Sequence, residues 1–486
     1  MTDTKLTNLL RALSSDEFRQ LEKFIDSPYY NKGRDLMPFF KMLKTFYPDF
    51  SSKNLTNEFI YKKLFPGKQF DSLKCDTVIR ALASHLFSAC KEFLVQLELE
   101  LQQTKKKYFL LSQLRRKKLY KEFDKEYNSI ADDDGGYGKG SVRYFVDKYL
   151  TSAVKRDCSL DRDDFVNSFE FTLQASESIS VAALISLYKF EDEKNHVKGY
   201  HLTLRNNILD LILENFDGAN FIEELKSSDL QYYPYIQIFS GIYMMNHYKD
   251  NEEYYKVKEL LKEHSSLFGQ PENYALWNTL LTYSNLNHLG RRENLELCKH
   301  MLDNKIHKPL PSENFHIVLF RNIVLLGSQT DEFDWLEKFI EQYSPELHEN
   351  HRESMKVYSL AHLSFARSDF EKALEYILKI KYNLWLYKLD MKILQLRIYY
   401  ELGYHEEALS LISTIVSYLN ESKEVSKVSK EYTNVFIKCL RDLIKLRSNG
   451  GHKESELHEM NVTLNHMSDT GLSRWLLEKV KELRET

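Results

Sequence analysis

The sequence predicts an all-α protein in which an N-terminal helical domain precedes helix pairs stacked as an α-α superhelix. Three observations carry that expectation. Only 16 glycines and 9 prolines punctuate 486 residues, so turns are few and the elements between them are long. Apolar residues recur three and four positions apart along most of the chain, the spacing of one helix face. In the second half a helix-turn-helix pattern returns with a steady period. Hydrophobic residues at 43% and aromatics at 13% supply ample core and exclude a disordered chain.

The N-terminal domain is expected over residues 1–131. In "LSSDEFRQLEKFI", Ser14 stands three residues before Glu17, the spacing of a capping box. Leu13, Phe18, Leu21, Phe24 and Ile25 then follow at helical spacing. Pro28 and Gly33 end that helix, and "FYPDFSSKN" and "LFPGKQF" mark further stops. A long helix follows from Ser72 to beyond Glu100, where neither Gly nor Pro interrupts the apolar stripe. The pattern continues from Gln102 to Phe123 with a basic outer face of Lys105, Lys106, Lys107, Arg115, Arg116, Lys117 and Lys118. Such a face is either solvated surface or a contact for an anion or nucleic acid.

Residues 132–141, "DDDGGYGKGS", look at first like a phosphate loop. The P-loop spacing fails, because Gly138-Lys139 is followed by Gly140 and Asp133 stands where the first glycine belongs. No strand precedes the stretch, and three aspartates would repel a phosphate. It reads as a flexible connection between helices.

Irregular helical pairs are expected over 142–234, with segments Val142–Lys155, Phe165–Phe190, Leu202–Phe216 and Phe221–Leu225. Repeats then run over 235–420. "MKVYSLAHLSFARSDFEKALEYILKI" and "MKILQLRIYYELGYHEEALSLISTIVSYL" each give a helix, a short turn and a second helix, with Ala373 and Ala408 35 residues apart. Three weaker units precede them, their second helices centred near Val257, Leu295 and Leu336. Capping helices close the chain over 421–486, with Trp475, Leu476, Leu477 and Val480 facing inward.

The two clear units resemble the tetratricopeptide (TPR-like) repeat, whose period is ~34 residues. Leu360-Ala361 fits its Leu-small pair, and Ala373 with Ile377 and Ala408 with Ile412 fit its second-helix element. Tyr399 and Gly403 fit the first-helix tyrosine and the turn. Val357 and Lys392 replace the tryptophan, Ser364 the tyrosine, and the closing prolines are missing. The resemblance implies a solenoid whose first helices present Met355, Tyr358, His362, Phe365, Arg397, Tyr400 and Glu401 to a protein or peptide partner. The same aromatics could instead pack between repeats. "SSDEFRQLEKFIDSPYYNK" with "LFPGK" is similar to the N-terminal block of uncharacterised Bacteroidota helical-repeat proteins, which implies no activity.

Catalytic and cofactor signatures are lacking: there is no nucleophile elbow, kinase set or dinucleotide fingerprint. His348 and His351 in "HENH" do not make a zinc-protease motif, and five scattered cysteines form no C-x-x-C pair. The expectation is a cytoplasmic, non-enzymatic interaction scaffold without cofactor or metal, its start free of a secretory leader and no stretch long enough for a membrane span. A nucleic-acid-associated protein is the alternative, since residues 1–160 are net basic and the remainder net acidic.

Overall fold

The computed structural model describes residues 2–30, 35–67, 71–129, 139–198, 207–228, 230–380, 385–422, 425, 427–449, 454–465 and 471–485. Gly33, residues 132–138 of the glycine-rich connection, residues 202–206 of the expected Leu202–Phe216 helix and His452 lie outside them. The described residues are all-helical, without a strand. They divide into two compact units, Met1–Tyr137 with Arg143–Ser180, and Gly138–Val142 with Val181–Thr486. The division falls inside the helix that spans Phe165–Lys198.

The first unit opens with α1 (Lys5–Ala12), α2 (Ser15–Asp26), α3 (Met37–Lys44), α4 (Asn57–Leu64) and the long α5 (Ser72–Leu101). Ser14 and Glu17 form the expected reciprocal cap: Glu17 N–H donates to Ser14 Oγ at 3.2 Å, and Ser14 N–H to Glu17 Oε2 at 2.7 Å. Leu10, Phe18, Phe40, Ile60 and Ile79, one from each helix, belong to the core that these five helices share. Then come α6 (Gln103–Arg116), α7 (Tyr120–Asn128), α8 (Val142–Leu160) and the start of α9 (Phe165–Lys198), with Leu111, Phe123, Val154 and Cys158 buried together.

The helix expected to run from Gln102 to Phe123 is broken after Arg116. Lys118 takes a left-handed φ of 56°, and Leu119 N–H donates back to Leu114 C=O at 2.9 Å. This is the closing geometry that satisfies orphan carbonyls at a helix C-terminus.

In the second unit, α10 (Ile208–Asn215) and α11 (Gly218–Ser227) lead to five helix pairs. These are α12 (Tyr233–Tyr248) with α13 (Asn251–Glu263), α14 (Gln270–Leu286) with α15 (Arg291–Asp303), and α16 (Ile317–Ser328) with α17 (Phe333–Tyr343). Next are α18 (Glu349–Ala366) with α19 (Phe370–Lys379), and α20 (Trp385–Leu402) with α21 (His405–Glu421). Val257, Leu295, Leu336, Ala373 and Ala408 are all buried on the second helices. The chain then forms α22 (Lys427–Asn449), α23 (Glu454–Asn465) and α24 (Gly471–Glu485).

The bend seen at Lys118 recurs between paired helices. Asp163, Lys249, His288, Ser368 and Gly403 all have φ between 55° and 76°. The next N–H donates five residues back each time: Asp164 to Ser159, Asp250 to Met245, Leu289 to Ser284, Asp369 to Ser364 and Tyr404 to Tyr399. Only Gly403 carries the residue type that signals such a turn. The same turn thus serves pairs well upstream of Tyr235.

Candidate functional site

The densest gathering of functional side chains lies in the second unit, where the first helices α16, α18 and α20 meet α24. α18 and α20 are apolar on most sides, with Leu363, Met391, Leu394 and Leu396 among their buried residues. α24 is amphipathic and buries Trp475, Leu476, Val480 and Leu483. These helices wall a cleft of about 630 Å³. Arg321 lines it from α16, His362 and Phe365 from α18, Asp390, Arg397 and Glu401 from α20, and Trp475, Glu478, Lys479 and Glu482 from α24.

The seven residues that the repeat pattern pointed to are therefore split. His362, Phe365, Arg397 and Glu401 line the cleft. Met355, Tyr358 and Tyr400 do not; they are 3%, 1% and 2% exposed and belong to the core. A helix packed on several sides turns some first-helix residues toward its neighbours, which the spacing alone does not separate from the groove side.

The Arg397 guanidinium carbon lies 4.2 Å from the centroid of the Phe365 ring and 5.1 Å from that of Trp475. Its Nε is sealed from solvent without a hydrogen-bond partner. Burial lowers its pKa to about 10, against the opposing pull of Glu401 and Glu478, so it stays charged at neutral pH. Its acidic neighbour on the same helix is already engaged: Trp475 Nε1 donates to Glu401 Oε1 at 2.7 Å and Lys479 Nζ stands 2.9 Å from the same oxygen.

Deeper in the wall, Arg321 grips Asp390 with two nitrogens, Nη2 at 2.8 Å from Oδ1 and Nε on Oδ2. Tyr358 Oη adds a hydrogen bond to Oδ2 at 3.2 Å. Burial works to lower the Arg321 pKa, but the hydrogen bonds and charge of Asp390 outweigh it and leave it raised. His362 is buried, its pKa lowered to about 3 first by burial and then by Arg397 and Arg321. It is neutral at pH 7, and its Nε2 has no hydrogen-bond partner.

Sequence reasoning missed Arg321, Asp390 and Lys479. Arg321 had a signal: it is a lone charge among apolar residues in "VLFRNIVLL", and a charge in such a run needs a buried partner. Asp390, by contrast, stands between Lys388 and Lys392 in "LYKLDMKIL" and looks like part of an ordinary charged face. Trp475 was expected to face inward and is 4% exposed, yet it also lines the cleft.

The basic residues of the first unit do not share one face. Helical positions advance by ~100°, so Lys105, Lys106 and Lys107 point in three directions, and Lys117 and Lys118 lie beyond the end of α6. Arg115 is bound to Asp157 and Asp161, both at 2.8 Å. Lys107 donates to the Ser129 carbonyl at 3.3 Å, and Lys105 lies in the field of buried Asp147. Lys106 and Arg116 are exposed.

Elsewhere, His348 accepts from Asn350 N–H at 3.3 Å and caps α18. Among the described residues no cluster of three or more His, Cys, Asp or Glu side chains is placed to hold a metal ion, and no helix is long and apolar enough to cross a membrane. No family model, curated protein or solved structure matches the chain, so a functional reading rests on the geometry of the cleft.

Proposed function

We propose that this protein is a non-enzymatic interaction scaffold of tetratricopeptide-like repeats that holds a segment of another protein in the cleft between α16, α18, α20 and α24. The observation that supports the reading is the Phe365–Arg397–Trp475 arrangement on the wall of a 630 Å³ cleft. Aromatic and arginine side chains in desolvated pockets dominate the energetics of protein interfaces. The volume suits a few side chains of a bound segment, within the ~300–1,000 Å³ of ordinary ligand sites. Contact with nucleic acid through residues 105–121 lacks such support, because the cations are spread around α6 and Arg115 is neutralised.

The test is selection of a random-peptide display library on the immobilised full chain, followed by hydrogen exchange with the enriched peptides. Enrichment of a consensus, with protection concentrated in α18, α20 and α24, is the expected result. Failure to enrich any peptide, or protection confined to other helices, overturns the reading.

A further inference from the structure

We propose that the cleft seats a single carboxylate on Arg397 as the anchoring group of its ligand. This inference deepens the reading above and rests on the cleft being the binding site. It starts from an imbalance. Arg397 is half-buried at the cleft wall, and a guanidinium nitrogen sealed from water without an acceptor is costly, so folded proteins pair such groups. Among the described residues, Arg397 has neither a hydrogen-bond acceptor nor an ion-pair partner, although its Nε is sealed from solvent.

The neighbouring acids do not supply the missing acceptor. Asp390 is held by Arg321 and Tyr358, and Glu401 by Trp475 and Lys479. Glu478 is exposed at the rim and forms no ion pair with Arg397. A second lining residue also carries a polar atom without a partner: Nε2 of His362, a residue only 8% exposed. The two unsatisfied groups come from adjacent first helices, α18 and α20, and both line the cleft.

The chemistry of the seat favours a carboxylate. Phe365 and Trp475 lie against the guanidinium, which leaves its N–H edge to donate. A planar carboxylate accepts two parallel N–H bonds from such an edge. Five basic and five acidic side chains line the cleft, so its formal charge is balanced once His362 is neutral. Arg397 is a single cation without an ion-pair partner in a cleft that has no surplus positive charge, so it answers one carboxylate, whereas a phosphate dianion would bring more charge than Arg397 answers. The carboxylate belongs to either an acidic side chain or the C-terminus of the bound segment, and both present the same group.

The test is fluorine NMR on the full chain labelled with 5-fluorotryptophan. The chain has four tryptophans, and Trp475→Phe assigns the resonance that reports on the cleft. The probes are N-acetylglutamate amide for a side-chain carboxylate, N-acetylalanine for a terminal one, neutral N-acetylglutamine amide, and inorganic phosphate. The Trp475 resonance is expected to shift saturably with at least one carboxylate and not with the glutamine compound. Arg397→Met should abolish the shift, and Arg397→Lys should weaken binding about tenfold or more, since lysine lacks the bidentate fork. The comparison of neutral and charged probes needs no substitution, so it holds even where Arg397→Met fails to fold.

Absence of a shift with both carboxylates, an equal shift with the glutamine compound, or tighter binding of phosphate overturns the inference. Whichever carboxylate binds names the source. A carboxylate-dependent shift with no peptide enriched by display would keep the anion seat and remove the protein-segment reading. Enriched peptides free of carboxylates would do the reverse.

Discussion

Gly241 on α12 lies so close to α13 that a Cβ at this position would stand 2.5 Å from Val257 Cγ2 and 3.1 Å from Glu253 Oε1. Val257 is fully buried and has no open side to swing toward. Gly241→Ala is expected to destabilise the protein by about 1–3 kcal/mol through overpacking, although alanine favours the helix by ~1 kcal/mol. Adding Val257→Ala should recover part of the loss, so the double variant is less destabilised than the two single effects combined. Urea midpoints of the four proteins check this; a higher midpoint for Gly241→Ala would show that the helices have room to part.

Arg321 and Asp390 form a bidentate pair that is mostly shielded from water, their side chains 16% and 17% exposed. Asp390→Ala leaves the half-buried guanidinium uncompensated and should cost about 1–3 kcal/mol. Replacing both residues by apolar ones of similar volume should cost clearly less, because the penalty comes from the stranded charge. Chemical denaturation of the single and paired variants measures the difference.

The lowered pKa of His362, about 3, makes stability depend on pH. Its ordinary value is ~6.5, so between about pH 6.5 and 3 the unfolded chain binds a proton that the folded chain refuses. Stability therefore falls as pH falls through that window, by up to ~1.4 kcal/mol per pH unit from this residue. His362→Gln removes the contribution, and other acid-sensitive groups cancel in the comparison. The stability difference between the two proteins should move in favour of His362→Gln from pH 7 to 4.5, as read from urea midpoints; parallel curves would refute it.

All five cysteines are free and buried. Burial pushes the Cys90 and Cys298 thiols up to about 12 and Cys439 up to about 11, which suppresses the reactive thiolate. An aromatic disulfide reagent should label none of them in the native protein within minutes and all five in guanidinium. Rapid native labelling of any one would place it in a segment that opens locally.

Much of the fold could be read along the chain. The Ser14–Glu17 cap, the α5 helix and the paired helices around Ala373 and Ala408 all arise from interactions between residues a few positions apart. The turns were harder. Left-handed Lys118, Asp163, Lys249, His288 and Ser368 look like ordinary polar residues, and their conformation follows from the helices that must meet on either side. Hence the break after Arg116 was missed while the turn at Gly403 was found.

The cleft was legible only in part, and the reason is range. Helix caps and apolar stripes are decided within about one or two turns of chain, so the all-helical architecture and its pairing follow from local sequence. Which first-helix residues stay uncovered depends on distant partners: Arg321 and Asp390 are 69 residues apart, and Trp475 reaches Glu401 across 74. Met355, Tyr358 and Tyr400 were lost to the core, and Arg397 was left without an acceptor, because long-range packing distributes a limited set of buried partners among the side chains that local pattern had made equivalent.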